Sequence, residues 1–195
     1  MRANTDPKLS ERKLQILQTI ATMLEDPAGE KVTTAALAAR LEVSEAALYR
    51  HFASKAQMYE GLIEFIESSL FSVINQIAAD EESGLKQAEM IVLTLLRFAQ
   101  KNKGLTRVLI GDALVHENPR LQARINQLLE RVDATLRQSL KVAMSQGTLP
   151  AAHDAGAHAD TLVCYTVGRW HRFVKGGFRE DPLAAWPSQW PLLVA

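Results

Sequence analysis

The sequence predicts an all-α fold in which a small N-terminal head is joined to a larger helical body. Three observations carry this expectation. Apolar residues recur at spacings of three and four along nearly the whole chain. The strict alternation of a half-buried strand is almost absent. Glycine, proline and capping residues punctuate the pattern at intervals that suit helices. With 195 residues, 47% of them hydrophobic and 23% charged, the composition is globular. The length suits one ordinary domain or two small ones sharing an interface.

Leu14, Leu17, Ile20, Ala21 and Leu24 mark a first helix from about Leu9 to Glu25, ended by Pro27 and Gly29. Thr33 or Thr34 caps a short second helix running through Leu37, Ala38 and Leu41. A third follows Ser44 and ends near His51. Ser54 to Gln57 has capping-box spacing and opens a long helix from about Lys55 to Ala78. Beyond the polar loop Asp80–Gly84, Ala88, Ile91, Val92, Leu95, Leu96 and Ala99 form a wide stripe on a helix from Leu85 to Gln100. Lys101 to Gly104 should stop it, with Gly104 as the C-cap. A helix of about ten residues, Leu105 to Leu114, comes next. Pro119 suits the first turn of its successor, whose stripe Leu121, Ile125, Leu128, Val132, Leu136 and Leu140 runs to about Met144. Gly147–Gly156 reads as a loop. The last main helix spans Asp160 to Lys175 and is closed by Gly176 and Gly177, and the tail with Trp186 and Trp190 reads as a short helix that packs down. The expected division is 1–53 for the head and 54–195 for the body.

Several function classes find no support. The 22 basic and 22 acidic residues cancel, so a nucleic-acid role must rest on a local site. The single cysteine, Cys164, excludes an intrachain disulfide and fits a reducing, intracellular compartment; its apolar helical setting predicts a buried, inert thiol. The five histidines lie in no metalloprotease or paired-carboxylate pattern, and His153 and His158 read as loop residues rather than a metal site. Ser68 and Ser69 lack an organising base. No enzyme activity, cofactor or metal is expected. Met1 to Glu11 are unlike a secretory signal, and the longest apolar stretches are broken by Arg97 and Arg107, so no bilayer span is expected.

The informative stretch is Thr33 to Phe52. Two short helices flank a tight turn at Leu41–Ser44, small residues at Ala38 and Ala47 allow close approach, and Leu37, Val43, Leu48 and Phe52 supply a core. This is a helix-turn-helix pattern. The helix after Ser44 would present its N-terminal residues to base edges and its amides to phosphate. Tyr49 is expected on a phosphate, and Arg50 and His51 are candidates beside it. Lys55 sits at the helix end that disfavours cations, a placement that a phosphate would compensate. Glu42 stands in the turn, where a left-handed non-glycine residue costs roughly 1 kcal/mol.

Leu48-Tyr49-Arg50-His51-Phe52 followed by Ser54-Lys55 resembles the signature of TetR-family transcriptional regulators, over Thr33 to Glu67. Ser44 to Phe52, Leu62 to Glu67, Gly104 to Arg107, Arg124 to Leu128 and the Trp186/Trp190 region together resemble the nucleoid occlusion branch of that family, over nearly the whole chain. The resemblance implies a TetR-like fold and a homodimer, or paired dimers, on specific chromosomal double-stranded DNA. It implies a nucleoid-associated, cytoplasmic protein with no membrane partner. When bound to DNA it would bind the C-terminal tail of the tubulin-like division protein FtsZ and antagonise division-ring assembly. By the same resemblance Ser44, Glu45, Ala46, Ala47 and Tyr49 read bases, and Thr33 and Lys55 contact the backbone. Three departures bear on it: relatives commonly carry glycine where Glu42 stands, the basic residues ahead of the first helix are sparser, only Arg2, Lys8, Arg12 and Lys13, and Val73 and Arg97 differ from a relative's groove residues.

The partner groove should lie between the helices 55–78 and 85–100, on Phe65, Ser69, Val73 and Leu93, with Arg97, Lys101 and Lys103 meeting acidic residues of the tail. Dimerisation is expected through helices 120–144 and 160–175, at Leu128, Val132, Leu136, Val163, Val167 and Trp170, as a four-helix seam. The alternatives are a ligand-responsive repressor, with a pocket lined by Phe98, Tyr165 and Trp170, and a helical adaptor with no DNA role.

Overall fold

The structure is a computed structural model and describes residues 11–26 and 32–195. Helix α1 spans Glu11–Met23, α2 Thr34–Arg40, α3 Glu45–Tyr49, α4 Lys55–Asp80, α5 Gly84–Lys101 and α6 Lys103–Leu109. A 3-10 turn, Asp112–Leu114, leads to α7 (Pro119–Ser145), α8 (Ala155–Lys175) and α9 (Trp186–Leu193). The start of the first helix at Leu9 and the terminators Pro27 and Gly29 lie outside the described residues. Among those described no strand occurs.

The expected caps Thr33, Ser44 and Ser54 each accept a hydrogen bond from the amide three residues on, at 3.1–3.3 Å. Ser83, in what reads as a polar loop, caps α5 in the same way at 3.4 Å. Gln57 completes its motif by accepting from the Ala53 amide at 2.8 Å, one residue earlier than the usual reciprocal bond. In the body, α5 packs between α4 and α7, and α7 also packs along α8. The stripe Leu121, Ile125, Leu128, Val132, Leu136 and Leu140 is at most 2% exposed. One apolar cluster runs from Ile16 to Trp186, so the boundary expected at residue 53 is crossed by a shared core. By length and composition α4 is apolar enough to cross a bilayer. Its residues Met58, Leu62, Ile66, Leu70 and Ile74 are buried within the fold instead.

Three boundaries differ from expectation. Gly104 is no C-cap: it is buried inside α6, where a Cβ would stand 2.0 Å from the Ala21 carbonyl oxygen. The residue is glycine because α6 presses on the backbone of α1. The helix expected to reach Leu114 stops at Leu109, because Gly111 turns left-handed at φ 78° before the 3-10 turn. Helix α8 begins at Ala155, five residues early, because Asp154 caps it through the amides of Gly156 and Ala157. The Ala and Gly content there hid a capped start inside an apparent loop.

Arg107 fastens head to body. Its guanidinium donates to the carbonyls of Leu24 and Asp26 at 3.4 and 3.3 Å, and to Asp112 at 2.7 Å. Lys175 binds the other oxygen of Asp112. Burial pushes the Asp112 carboxyl up, but the Lys175 and Arg107 hydrogen bonds outweigh it and hold the group below the usual carboxylate range.

Candidate functional site

The head has the geometry of a helix-turn-helix. Leu37 and Leu48 are 1% exposed and Phe52 6%, with Val43 packed at the edge of the same cluster. These few side chains set α3 against α2. Glu42 makes the turn at φ 55°, the left-handed region where a side chain is strained. The strain is offset by the fixed turn around it, where the Glu42 amide donates to Ala39 and the Val43 amide to Ala38.

The structure places the expected DNA contacts along one short stretch of backbone. Thr33 and Ser44 are the exposed N-caps of α2 and α3. Glu45, Ala46, Tyr49 and Arg50 are exposed, and Ala47 and His51 are half-buried. The starts of the two helices adjoin, because the Thr34 hydroxyl donates to Glu45 Oε2 at 2.5 Å. Tyr49 stands 45% exposed, a large aromatic with no packing reason to be there.

Lys55 departs from the simple expectation. Its Nζ pairs with Glu117 at 2.5 Å and lies 5.6 Å from the centre of the Tyr59 ring. The cation at the unfavourable helix end is thus compensated from within, by the segment just before α7. Burial, reinforced by the Glu117 charge, pushes the Tyr59 hydroxyl well up, so it stays protonated. A phosphate at Lys55 competes with Glu117 rather than meeting a bare charge.

The outer face of α4 and α5 keeps apolar side chains in water. Phe65 is 42% exposed and Val73 43%, with Ser69 and Leu93 half-buried. Phe65 is therefore not part of the core. A shallow groove of about 320 Å³ at the far end of this face is lined by Val73, Gln76, Ile77 and Met90 and closed by the carboxylates of Asp80 and Glu81. Met90, 40% exposed, went unnoticed in the sequence, although it lies three residues before Leu93 and seven before Arg97 on the same face. Arg97 and Lys101 are exposed at the end of α5. Lys103 does not join them at a free edge: its ammonium lies 5.9 Å from the Phe178 ring beyond α8.

The expected dimer contacts need correction. Leu128, Val132, Leu136 and Trp170 are at most 2% exposed in a single protomer, so they form its core and not an interface. The Trp170 indole donates to the Leu95 carbonyl at 3.2 Å, which locks it between α8 and α5. Periodicity shows that a stripe is apolar, not which neighbour takes it, and α5 takes this one. Val163 and Val167 are half-buried and remain available. Beside them an open groove of about 580 Å³ between α7 and α8 is lined by Leu129, Asp133, Ala134, Arg137, Asp160 and Val163. Cys164 is exposed on this side rather than buried, and a Cβ added at Gly168 would meet nothing within 4 Å.

Two of the three residues proposed for a small-molecule pocket are engaged elsewhere, and Phe98 is half-buried against the core. Trp170 is packed as described, and the Tyr165 hydroxyl donates to Gln189 at 2.7 Å with its ring against Trp186. His158 lies in α8, not in a loop, and shares a 2.8 Å hydrogen bond with His153. Among the described residues no group of three potential metal ligands occurs.

Residues 16–62 match the bacterial regulatory proteins of the tetR family, and residues 82–195 match the Tetracyclin repressor-like, C-terminal domain of SlmA-like proteins. A nucleoid occlusion factor SlmA from Alteromonas mediterranea is 46% identical over 183 residues, 94% of this chain and 94% of that protein. One from Cronobacter sakazakii is 48% identical over 185 residues, 94% of this chain and 93% of that protein. The fatty acid degradation regulator FadR from Bacillus halodurans has a similar structure, with a TM-score of 0.80 at 15% identity, covering 96% of this chain and 97% of that one. A TetR transcription regulator from Haloarcula marismortui gives 0.78 at 16% identity, covering 95% and 97%. At these identities the structural likeness concerns the fold.

Proposed function

The chain belongs to the SlmA nucleoid occlusion factors of the TetR family, and from that membership we propose how its three surfaces divide the work of protecting the chromosome from division. It is a DNA-binding protein and not an enzyme, and it acts as a dimer. The head engages double-stranded DNA through Thr33, Ser44, Glu45, Ala46, Ala47, Tyr49, Arg50 and His51, with Lys55 drawn from Glu117 to a phosphate. Two protomers meet along the α7–α8 groove at Leu129, Val163 and Val167, and this holds their recognition helices about 34–36 Å apart or a multiple of it, the repeat of the duplex. Such dimers, singly or in pairs, keep the protein on the nucleoid.

The α4–α5 face then receives the C-terminal tail of FtsZ on Phe65, Ser69, Val73, Met90 and Leu93, with Arg97 and Lys101 drawing in acidic residues at low salt. The observation that carries this reading is the reach of the similarity: near-half identity to SlmA proteins runs through the body as well as the head. Chromosome-wide mapping of bound sites tests it. Sites spread over the chromosome and sparse near the replication terminus are expected; a lone site at a neighbouring promoter overturns the occlusion reading. Titrating a labelled FtsZ C-terminal peptide into the DNA-bound dimer tests the partner, and no binding at micromolar protein overturns it.

A further inference from the structure

The recognition helix opens on a carboxylate, a costly group to bring to a polyanion. Glu45 is the first residue of α3 and is exposed. Thr34, the first residue of α2, donates its hydroxyl hydrogen to Glu45 Oε2 at 2.5 Å. This bond orients the side chain and occupies part of one oxygen, leaving the other oxygen to accept.

An ionised carboxylate only accepts hydrogen bonds. It therefore has nothing to offer a phosphate, the O6 and N7 of guanine or the O4 of thymine. The donors on the major-groove edge are the N4 amino group of cytosine and the N6 amino group of adenine. Adenine sets its N7 acceptor beside that amino group, which repels a carboxylate, whereas cytosine presents the amino group alone. We infer that Glu45, held in place by Thr34, reads one cytosine in each half-site by accepting a hydrogen bond from its N4 amino group. This rests on α3 being the base-reading helix. On any other sequence the same carboxylate lies unpaired among phosphates. Glu45 thus separates cognate from bulk DNA by penalising the latter. Thr34 is a positioning residue that acts through it.

Selection of bound duplexes from a random library, run with the full chain, tests the inference. Wild type is expected to select a site with a C·G pair at one fixed position of each half-site. Glu45→Gln is expected to lose that preference by about tenfold and to drift toward adenine, whose N6 and N7 match an amide, while its affinity for bulk DNA rises. Thr34→Val should relax the same position and no other, and Thr34→Ser, which keeps the hydroxyl, should restore it. A defined wild-type site whose base preferences are unchanged in Glu45→Gln and Thr34→Val overturns the inference and leaves the recognition-helix reading standing. A wild-type protein that selects no sequence overturns both.

Discussion

The α4–α5 pair and the α7–α8 pair look alike as sequences, each combining two long helices with apolar stripes, yet they turn opposite surfaces to water. The α4–α5 face leaves Phe65, Val73 and Met90 between 40 and 43% exposed. The α7–α8 face buries its strongest apolar positions against α5 and leaves a groove in which Asp133, Arg137 and Asp160 lie beside Leu129 and Val163. The first keeps apolar side chains in water, as the proposed peptide site requires. The second sets charged side chains beside small apolar ones, as the proposed contact between two copies of the chain requires. The most apolar stripe of each amphipathic helix goes to the protomer's own core, and only the remainder is left for a partner.

Leu136→Ala should break the comparison most severely. It empties a fully buried site and should destabilise the protomer by about 2–5 kcal/mol in chemical denaturation. An unchanged denaturation midpoint would return Leu136 to the interface. Next in size, Leu129→Glu combined with Val163→Glu should leave the fold intact while sedimentation shows monomers, because like charges then meet across the seam. A persistent dimer places the contact elsewhere.

Phe65→Ala and Val73→Glu should each weaken FtsZ-tail binding about tenfold, with stability held within about 0.5 kcal/mol because both sites are exposed. Arg97→Glu with Lys101→Glu should act mainly at low salt. In the head, Lys55→Ala should lower the slope of log affinity against log salt by about 1 per subunit if Lys55 reaches a phosphate. An unchanged slope means that Lys55 stays paired with Glu117 in the DNA complex and touches no phosphate.

The smallest effect concerns pH. Burial, with the His153 charge adding to it, pushes His158 below the ordinary histidine value. The unfolded chain therefore takes up this proton first as pH falls. The contribution is complete above about 6.5 and declines on acidification through the lower, folded value. Thermal melts of His158→Gln should lack that share of the decline; a pH profile identical to wild type would show that the decline arises elsewhere.

Much of this was legible in the sequence because it depends on neighbours close along the chain. Helix starts follow from Thr33, Ser44 and Ser54, whose side chains bond the amides three residues on. The helix-turn-helix and the strained Glu42 turn are local in the same way, and so is the exposed side of α4. Tertiary structure alone decided the rest. It set Glu117 against Lys55 across 62 residues, brought Thr34 to Glu45, and pressed α6 so close to α1 that position 104 admits no side chain. It also assigned the stripe of α7 to α5 and left the seam to weaker residues. A helical repeat specifies which face of a helix avoids water, but every helix with such a face competes for the same neighbours. Which pairs form is settled only when the whole core packs at once.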